Sequence, residues 1–184
     1  MALRKVHIYG DPCLREVSGP VDAIDDPEIK TLIEDMVETM YEEDGIGLAA
    51  PQVGENVRIF VADTTPAEEN GKGAKKRNPV VYINPEIIEE SPEDGPMDEG
   101  CLSLPELSGQ VYRPLQVKIR YTNGEGERVE EDLDGMAARC VQHEIDHLDG
   151  KLFIDRMPFV RRRMLAGKLN ALKKRQREET AAKA

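Results

Sequence analysis

The clearest hydrophobic pattern in the chain lies between residues 27 and 43, where apolar residues recur three and four positions apart. The apolar positions are Ile29, Leu32, Ile33, Met36, Val37, Met40 and Tyr41. Because residues at this spacing share one face of an α-helix, the segment predicts an amphipathic helix. Asp26 and Pro27 stand where an N-cap and a first-turn proline are expected.

Other stretches have the pattern of β-strands. Residues 57–62 and 80–84 are short apolar runs, and the second is expected to continue after a break at Pro85. Residues 115–121 alternate strictly between apolar and polar side chains, and an Asn-Gly turn separates them from residues 127–133. This arrangement predicts a β-hairpin.

Two segments follow neither period. Residues 45–54 contain three glycines and a proline, too many for a helix, and the glycines allow another backbone to approach closely. Gln52 is a polar residue among apolar neighbours in this segment and needs a partner. Residues 64–78, with two glycines and a Lys-Lys-Arg run, predict a surface loop.

Two more helices are predicted in the last third of the chain. One runs from about residue 134 to residue 150, and the other begins at Phe159, with a narrow stripe formed by Leu165, Leu169 and Leu172. The sequence therefore predicts a single α+β domain over 1–184. Antiparallel or mixed strands pack around a central helix, between an N-terminal and a C-terminal helix. The end of the C-terminal extension, 159–184, is expected to fray.

The net charge of −11 is unevenly distributed along the chain. Residues 156–184 contain ten Lys or Arg against two acidic residues, so this segment carries +8 and the remainder −19. An acidic body repels nucleic acid, whereas a basic tail can contact a polyanion locally. No apolar run is long enough for a membrane span, and the N-terminus lacks the apolar core of a signal peptide. We therefore expect a cytoplasmic protein with free thiols and no membrane contact.

The central helix carries two of the three histidines. His143 and His147 are four residues apart, so they share one face and can bind one metal ion, while Glu144 can move protons on a bound water. By itself the pattern also fits a polar helix face. A metal held by two histidines needs a further protein ligand. Asp155 is too close downstream, whereas the Cys101 thiolate would be a strong ligand for Zn²⁺ or Fe²⁺.

Three separated segments resemble the signature motifs of the peptide deformylases. They read GIGLAAPQ at 45–52, EGCLS at 99–103 and QHEIDHL at 142–148, and their order and spacing are also similar to that family. The resemblance covers roughly residues 6–157. It implies a metal-dependent hydrolase that removes the N-formyl group from the formylmethionine of nascent polypeptides and releases formate.

The resemblance also implies a metal centre on the central helix. Cys101, His143 and His147 would hold one ion, with water as the fourth ligand. Fe²⁺ is implied as the native metal, with Zn²⁺ or another divalent ion able to replace it. Coordination chemistry alone leaves the metal open, because a Cys-His-His set suits both ions. Glu99 and Asp146 either orient these ligands or form ordinary salt bridges.

The implied mechanism assigns a role to three further groups. Metal-bound water attacks the formyl carbon, and Glu144 acts as general base and then as general acid. The side-chain amide of Gln52 and the backbone N–H of Leu102 donate hydrogen bonds to the formyl oxygen. This role explains a polar glutamine in an apolar turn.

The expected substrate is a peptide that lies as an added strand beside Ile46, Gly47 and Gly100. Met136 and Cys140 precede the histidines on their helix face and are candidates for the methionine pocket. After Ser103 the chain reads LPELSG, without the basic residue that some members of the family carry there.

Two other functions remain open on the residues alone. A zinc endopeptidase would need a downstream metal ligand, and a non-catalytic protein with a structural metal would need a fourth protein ligand. The basic C-terminal helix fits an RNA-rich partner, and the resemblance suggests contact with the ribosome. The alternative is a helix packed on the body by its leucine stripe.

Overall fold

A computed structural model describes residues 2–65 and 77–182 of the chain. The helices are α1 Pro27–Glu42, α2 Gly135–Leu148, α3 Phe153–Arg156, α4 Phe159–Met164 and α5 Ala166–Ala181. The strands are β1 Gly47–Ala49, β2 Ile59–Ala62, β3 Val80–Glu90, β4 Asp94–Gly100, β5 Ser108–Pro114, β6 Gln116–Thr122 and β7 Arg128–Asp134. Most of the surface loop predicted at 64–78 lies outside the described residues.

The strands form two antiparallel sheets. Five of them lie in the order β1-β2-β3-β6-β7, and β4 pairs with β5 in a separate two-stranded sheet. The predicted hairpin is confirmed, since β6 pairs with β7 from Gln116 opposite Asp134 to Thr122 opposite Arg128. Within the described residues β1 and β4 each pair along one side only. Each of these two strands therefore has a free edge.

Helix α1 forms as its sequence pattern predicts. The Asp26 carboxylate accepts a hydrogen bond from the Glu28 N–H at 2.8 Å, which caps the first turn ahead of Pro27. Leu32, Met36 and Met40 are buried against the apolar side chains of β1 and β2. Burial of this one face positions the segment that follows α1 beside the central helix.

Helix α2 is buried on every side over its last three turns, from Ala138 to Leu148. Its apolar side packs on β6 and β7 through Val141, Ile145 and Leu148. Apart from Ala138 and Cys140, the remaining buried side chains of α2 are polar or charged. Because a buried polar group costs free energy unless it is paired, each of these side chains requires a partner or a chemical role.

The strands differ from the sequence-based expectation in two places. Strand β3 does not break at Pro85, because Asn84 takes a positive φ of 51° and a register shift between Ile83 and Glu86 absorbs the irregularity. Strands β4 and β5 were not predicted at all. The region before Glu99, which has the composition of a loop, is an extended strand paired with β5.

The C-terminal segment is interrupted where one helix was predicted. A break at Leu165 separates α4 from α5, and α5 then continues to Ala181. Leu169 is buried, with Leu165 and Leu172 beside it, so the predicted leucine stripe does pack on the body. The Gln176 amide also donates to the Asp11 carboxylate at 2.6 Å.

All three cysteines are free thiols, as expected. In the described part of the chain, no helix is both long enough and apolar enough to cross a lipid bilayer.

Candidate active site

The structure brings Cys101, His143 and His147 together. Cys101 follows the last residue of β4, and the two histidines project from adjacent turns of α2. One ligand atom from each lies within 4.8 Å of the others, and the Cys101 Sγ is 3.2 Å from His147 Nε2. The thiol and two imidazoles therefore converge on one point, although the cysteine is more than 40 residues away in sequence.

The surroundings of this cluster fit a divalent cation. Glu99 Oε2 is 2.9 Å from His143 Nδ1, which leaves Nε2 of that ring for the cluster. Burial lowers the pKa of His147, so this imidazole is neutral, as a metal ligand must be. Burial also opposes charge on His143, but hydrogen bonds with Cys101 and Glu99 outweigh it and raise its pKa. The groups around His143 thus favour positive charge at that ring.

Glu144 lies beside the cluster and is shielded from solvent. It is buried, and among the described residues its Oε2 atom has no hydrogen-bond partner. Burial raises the pKa of Glu144 to about 7. A carboxyl group with such a pKa can accept a proton and release it again near neutral pH.

Gly47 is packed directly against Glu144. A side chain at this position would collide with the Glu144 carboxylate and would lie 2.9 Å from the Cys140 sulfur. The absence of a side chain at Gly47 therefore makes room for the buried carboxylate.

Gln52 points its amide donor into the site. It belongs to a short 3₁₀ turn, Ala50–Val53, and its Oε1 accepts a hydrogen bond from the Ala49 N–H at 2.8 Å. Its Nε2 lies 3.2 Å from Ser103 Oγ and 3.4 Å from Cys101 Sγ. These contacts supply the partners that a polar residue in this turn requires, and they fix the amide beside the cluster.

A cavity of about 750 Å³ opens next to these residues. Leu102 lines it directly after Cys101, and Met136 and Cys140 line it from α2. Ile46, Gly47 and Gly100 are also on its walls, where the free edges of β1 and β4 face the same space. Of the site residues singled out from the sequence, all but His147 and Asp146 line this cleft.

Two buried arginines near the site were not predicted. Arg113 donates to Glu99 at 2.7 and 2.9 Å and to Asp146 at 2.7 Å, and Arg139 donates to Glu99 at 3.2 Å. Burial opposes the charge of Glu99, but Arg113 and His143 hold its pKa at about 2. Glu99 thus contacts a cluster histidine directly, whereas Asp146 forms a salt bridge with Arg113.

A known protein family matches most of this chain. The family model for polypeptide deformylase matches residues 3–163. The chain belongs to the polypeptide deformylase family. The predicted enzyme, a hydrolase that removes the N-formyl group from nascent polypeptides, is thereby confirmed, and membership of the family implies a divalent metal. Neither the endopeptidase nor the non-catalytic alternative gains support.

Individual relatives match nearly the whole chain. A peptide deformylase of Rhodopseudomonas palustris is 48% identical over 95% of this chain and 97% of its own length. The crystal structure of the Thermotoga maritima peptide deformylase is 47% identical, with a TM-score of 0.76 over 86% of this chain and 99% of that one. A plant peptide deformylase has a TM-score of 0.86 and 42% identity over 97% of this chain and 93% of that one. These structures confirm the predicted α+β fold.

Proposed function

We propose that Cys101, His143 and His147 hold the divalent ion of this deformylase, with Glu144 as its general base and acid. The observation that carries the proposal is the convergence of the three donor atoms beside the buried carboxyl group of Glu144. Cys101, His143 and Glu144 line the cleft. The three donor residues would hold the ion, which would supply Lewis-acid chemistry by lowering the pKa of a bound water molecule.

Glu144 moves the protons of the reaction. Its carboxylate accepts a proton from the attacking water and then donates it to the amine that leaves the formyl carbon. The pKa of about 7 suits both steps, because one carboxyl group must take up and release a proton within a turnover. Burial of Glu144 is the main cause of that raised pKa.

Gln52 and Leu102 stabilise the negative charge that develops on the formyl oxygen. The Gln52 Nε2 donor is held beside the cluster by the bond between its Oε1 and the Ala49 N–H. The Leu102 N–H donates to no acceptor within residues 2–65 and 77–182, so it is free for a substrate oxygen. Donors fixed before the reaction stabilise such a charge without reorganisation.

The peptide lies as an extended strand between the free edges of β1 and β4. Backbone hydrogen bonds at Ile46, Gly47 and Gly100 bind it irrespective of sequence, which suits an enzyme that acts on many chains. Met136 and Cys140 then line the pocket for the methionine side chain.

Fe²⁺ is the proposed native ion, with Zn²⁺ as a replacement, and formate release tests the assignment of the residues. Metal-free protein is reconstituted anaerobically with Fe²⁺ or Zn²⁺ and assayed on formyl-Met-Ala-Ser. We expect turnover with either ion, faster with Fe²⁺. Glu144→Gln should lower kcat by roughly 10²–10⁴-fold, the usual contribution of acid–base catalysis. A Glu144→Gln enzyme with unchanged kcat would contradict the assignment.

We further propose one catalytic domain over 1–184, with 159–184 as a basic extension that contacts the ribosome. The leucine stripe and Gln176 attach α5 to the body, while Arg161, Arg163, Lys168 and Arg177 remain exposed. The ribosome also supplies the nascent substrate, so we propose the cytoplasm as the site of action. Replacing these four residues by Gln should weaken ribosome co-sedimentation and flatten its salt dependence. Unchanged co-sedimentation would contradict the proposed contact.

A further inference from the structure

The N-terminal segment lies against both groups that are proposed to stabilise the formyl oxygen. The His7 N–H donates to the Gln52 carbonyl at 2.7 Å, and the Tyr9 N–H donates to the Ser103 carbonyl at 2.8 Å. Ser103 directly follows Leu102, whose N–H is the second proposed donor. One short segment therefore connects the turn of Gln52 to the loop of Leu102.

These contacts join two elements that are far apart in the sequence. Gln52 belongs to the 3₁₀ turn Ala50–Val53, whereas Ser103 comes shortly after the end of β4. The two elements also touch directly, because Gln52 Nε2 lies 3.2 Å from Ser103 Oγ. Both residues are buried, so water does not replace a contact that is lost between them. The backbone of residues 7–9 is therefore part of a closed set of contacts that includes the Gln52 donor.

Residues 2–8 lie in neither a helix nor a strand, so the position of the segment depends on its contacts. His7 Nδ1 is 2.7 Å from Asp11 Oδ2. Gly54, which ends the turn of Gln52 with a positive φ of 89°, packs against Nε2 of the same ring. A Cβ at Gly54 would lie only 2.9 Å from that nitrogen. The His7 ring is thus held between the Asp11 carboxylate and the end of the Gln52 turn.

Asp11 also connects this segment to the C-terminal helix. Gln176 Nε2 donates to Asp11 Oδ2 at 2.6 Å, and Gln176 is only 4% exposed. Gly10 has a φ of 114° and lies so close to α5 that an added Cβ would be 3.0 Å from the Lys173 Cα. Burial opposes the charge of Asp11, but its hydrogen bonds, first that with His7, outweigh burial and lower its pKa. The ionised carboxylate can accept from His7 and Gln176 together.

We propose that Asp11 is a positioning residue for the reaction, because it holds His7 against the turn that carries Gln52. The inference rests on the proposed function, since it takes the Gln52 amide as a donor to the formyl oxygen. Gln176 holds Asp11 from the side of α5 and belongs to the same series of contacts. Asp11 is not among the described residues that line the cleft, so it acts through Gln52 and not on the substrate itself. Its effect is therefore expected on kcat more than on KM.

Steady-state kinetics of the metal-loaded enzyme on formyl-Met-Ala-Ser tests this role. A displacement of about 1 Å can lower a rate by about 10²-fold, so a smaller shift of the Gln52 donor in Asp11→Ala should lower kcat by about ten-fold. KM should change by less than about two-fold. Asp11→Asn retains one acceptor oxygen and should restore kcat to within about three-fold of the wild type. Gln176→Ala, which removes the outer contact alone, should lower kcat by about three-fold.

Two controls match these variants. Asp25→Ala removes an exposed carboxylate that contacts Lys30, and Asn170→Ala removes an exposed amide from α5. Both should keep the wild-type kcat, because neither side chain contacts the N-terminal segment in the described part of the chain.

A double-mutant cycle distinguishes positioning of Gln52 from a general effect on the fold. The donor is already absent in Gln52→Glu, so adding Asp11→Ala to that variant should lower kcat by less than about two-fold. A purely structural role would lower kcat by the same factor in the two backgrounds, or would lower only the free energy of unfolding. Urea unfolding of each variant measures that free energy and shows that the protein is folded in the assay.

The outcomes separate this inference from the proposed function. Wild-type kcat in Asp11→Ala, or an equal loss in the wild-type and Gln52→Glu backgrounds, overturns the positioning role alone. Wild-type kcat in Gln52→Glu itself overturns the oxyanion assignment and the inference with it. If Asp11→Ala does not fold, Gln176→Ala replaces it in the same cycle, and wild-type kcat or equal losses there overturn the inference.

Discussion

Glu99 Oε2 lies 2.9 Å from His143 Nδ1, while both oxygens of the same buried carboxylate accept hydrogen bonds from Arg113. One side chain on β4 thus connects a histidine of α2 to an arginine of β5. The contact fixes which ring nitrogen of His143 faces the cluster. It also fixes the position of the strand that leads to Cys101, so the geometry of the site depends on a group that is not one of its three donors.

Replacing Glu99 should therefore weaken metal binding before it affects substrate binding. We expect Glu99→Gln to lower the affinity for the divalent ion by about 10–100-fold, the usual effect of removing the partner of a ligating histidine. Competition with a chelator measures the affinity. The control is Glu89→Gln, which removes an exposed carboxylate 3.9 Å from Lys118. Equal affinities for the two variants would contradict the role of Glu99.

A methyl group at Gly47 should disturb Glu144 without disturbing the fold. The new Cβ would collide with the Glu144 carboxylate, so Gly47→Ala displaces that group, and we expect kcat to fall by about 10². Gly167→Ala on α5 is the matched control, because nothing lies within 4 Å of its Cβ. The control should keep full activity and stabilise the protein by about 0.5–1 kcal/mol. Full activity in Gly47→Ala would contradict the account of Glu144.

The two ends of the Gln52 amide should affect different properties of the protein. The oxygen should contribute to stability, and the nitrogen should contribute to catalysis. Gln52→Ala removes the donor and also leaves the buried Ala49 N–H without its acceptor, at a cost of about 1–3 kcal/mol of stability. Gln52→Glu keeps an acceptor for Ala49 but loses the Nε2 donor. Both variants should lose about 2.7–4 kcal/mol of transition-state stabilisation. Steady-state kinetics and urea unfolding measure the two effects, and wild-type kcat in Gln52→Glu would exclude an oxyanion role.

Acid should destabilise the protein in part through Asp63. Burial opposes its charge, but hydrogen bonds from the Tyr41 hydroxyl at 2.6 Å and from the N–H groups of Asn78 and Thr65 outweigh burial and lower the pKa of Asp63. The folded pKa lies below the unfolded value of about 3.9. The resulting stabilisation is present above about pH 4 and is lost as the pH falls below it.

Urea unfolding between about pH 5 and pH 2 measures this contribution. The free energy of unfolding should fall less steeply with acid in Asp63→Asn than in the wild type, because the variant has no proton to take up at this position. Asp132→Asn, an exposed residue of β7, should keep the wild-type slope. Identical slopes for Asp63→Asn and the wild type would contradict the prediction.

The helices and the hairpin were predictable because their signals are local. The apolar face of α1 and the strict alternation of β6 each lie within one segment of the sequence, and the structure confirms both. Strand β4 carries no such signal. Its two buried positions are Gly95 and Glu99, and a buried glutamate is stable there because Arg113, Arg139 and His143 reach it from other elements. The sequence of β4 alone cannot predict these partners, because they come from distant parts of the chain.

The same distinction holds for the site. Three short motifs bring Gln52, Cys101 and His143 to attention, since each stands in a run of residues characteristic of the family. Arg113 has no motif. It lies on the same buried face of β5 as Val111, and only the fold shows that its side chain meets Glu99 and Asp146. Motifs thus identify the groups proposed to take part in the chemistry. The groups that hold them in place are identified only by their contacts in the folded structure.

The central claim is that one divalent ion is held by a thiolate and two imidazoles. Titration of metal-free protein with Co²⁺, followed by thiolate-to-cobalt absorption, tests it most directly because the band requires a sulfur ligand. The wild type and Cys13→Ser should each develop the band and saturate at about one equivalent, whereas Cys101→Ser should show no band. A folded Cys101→Ser protein that binds one Co²⁺ with the sulfur band intact would contradict the account.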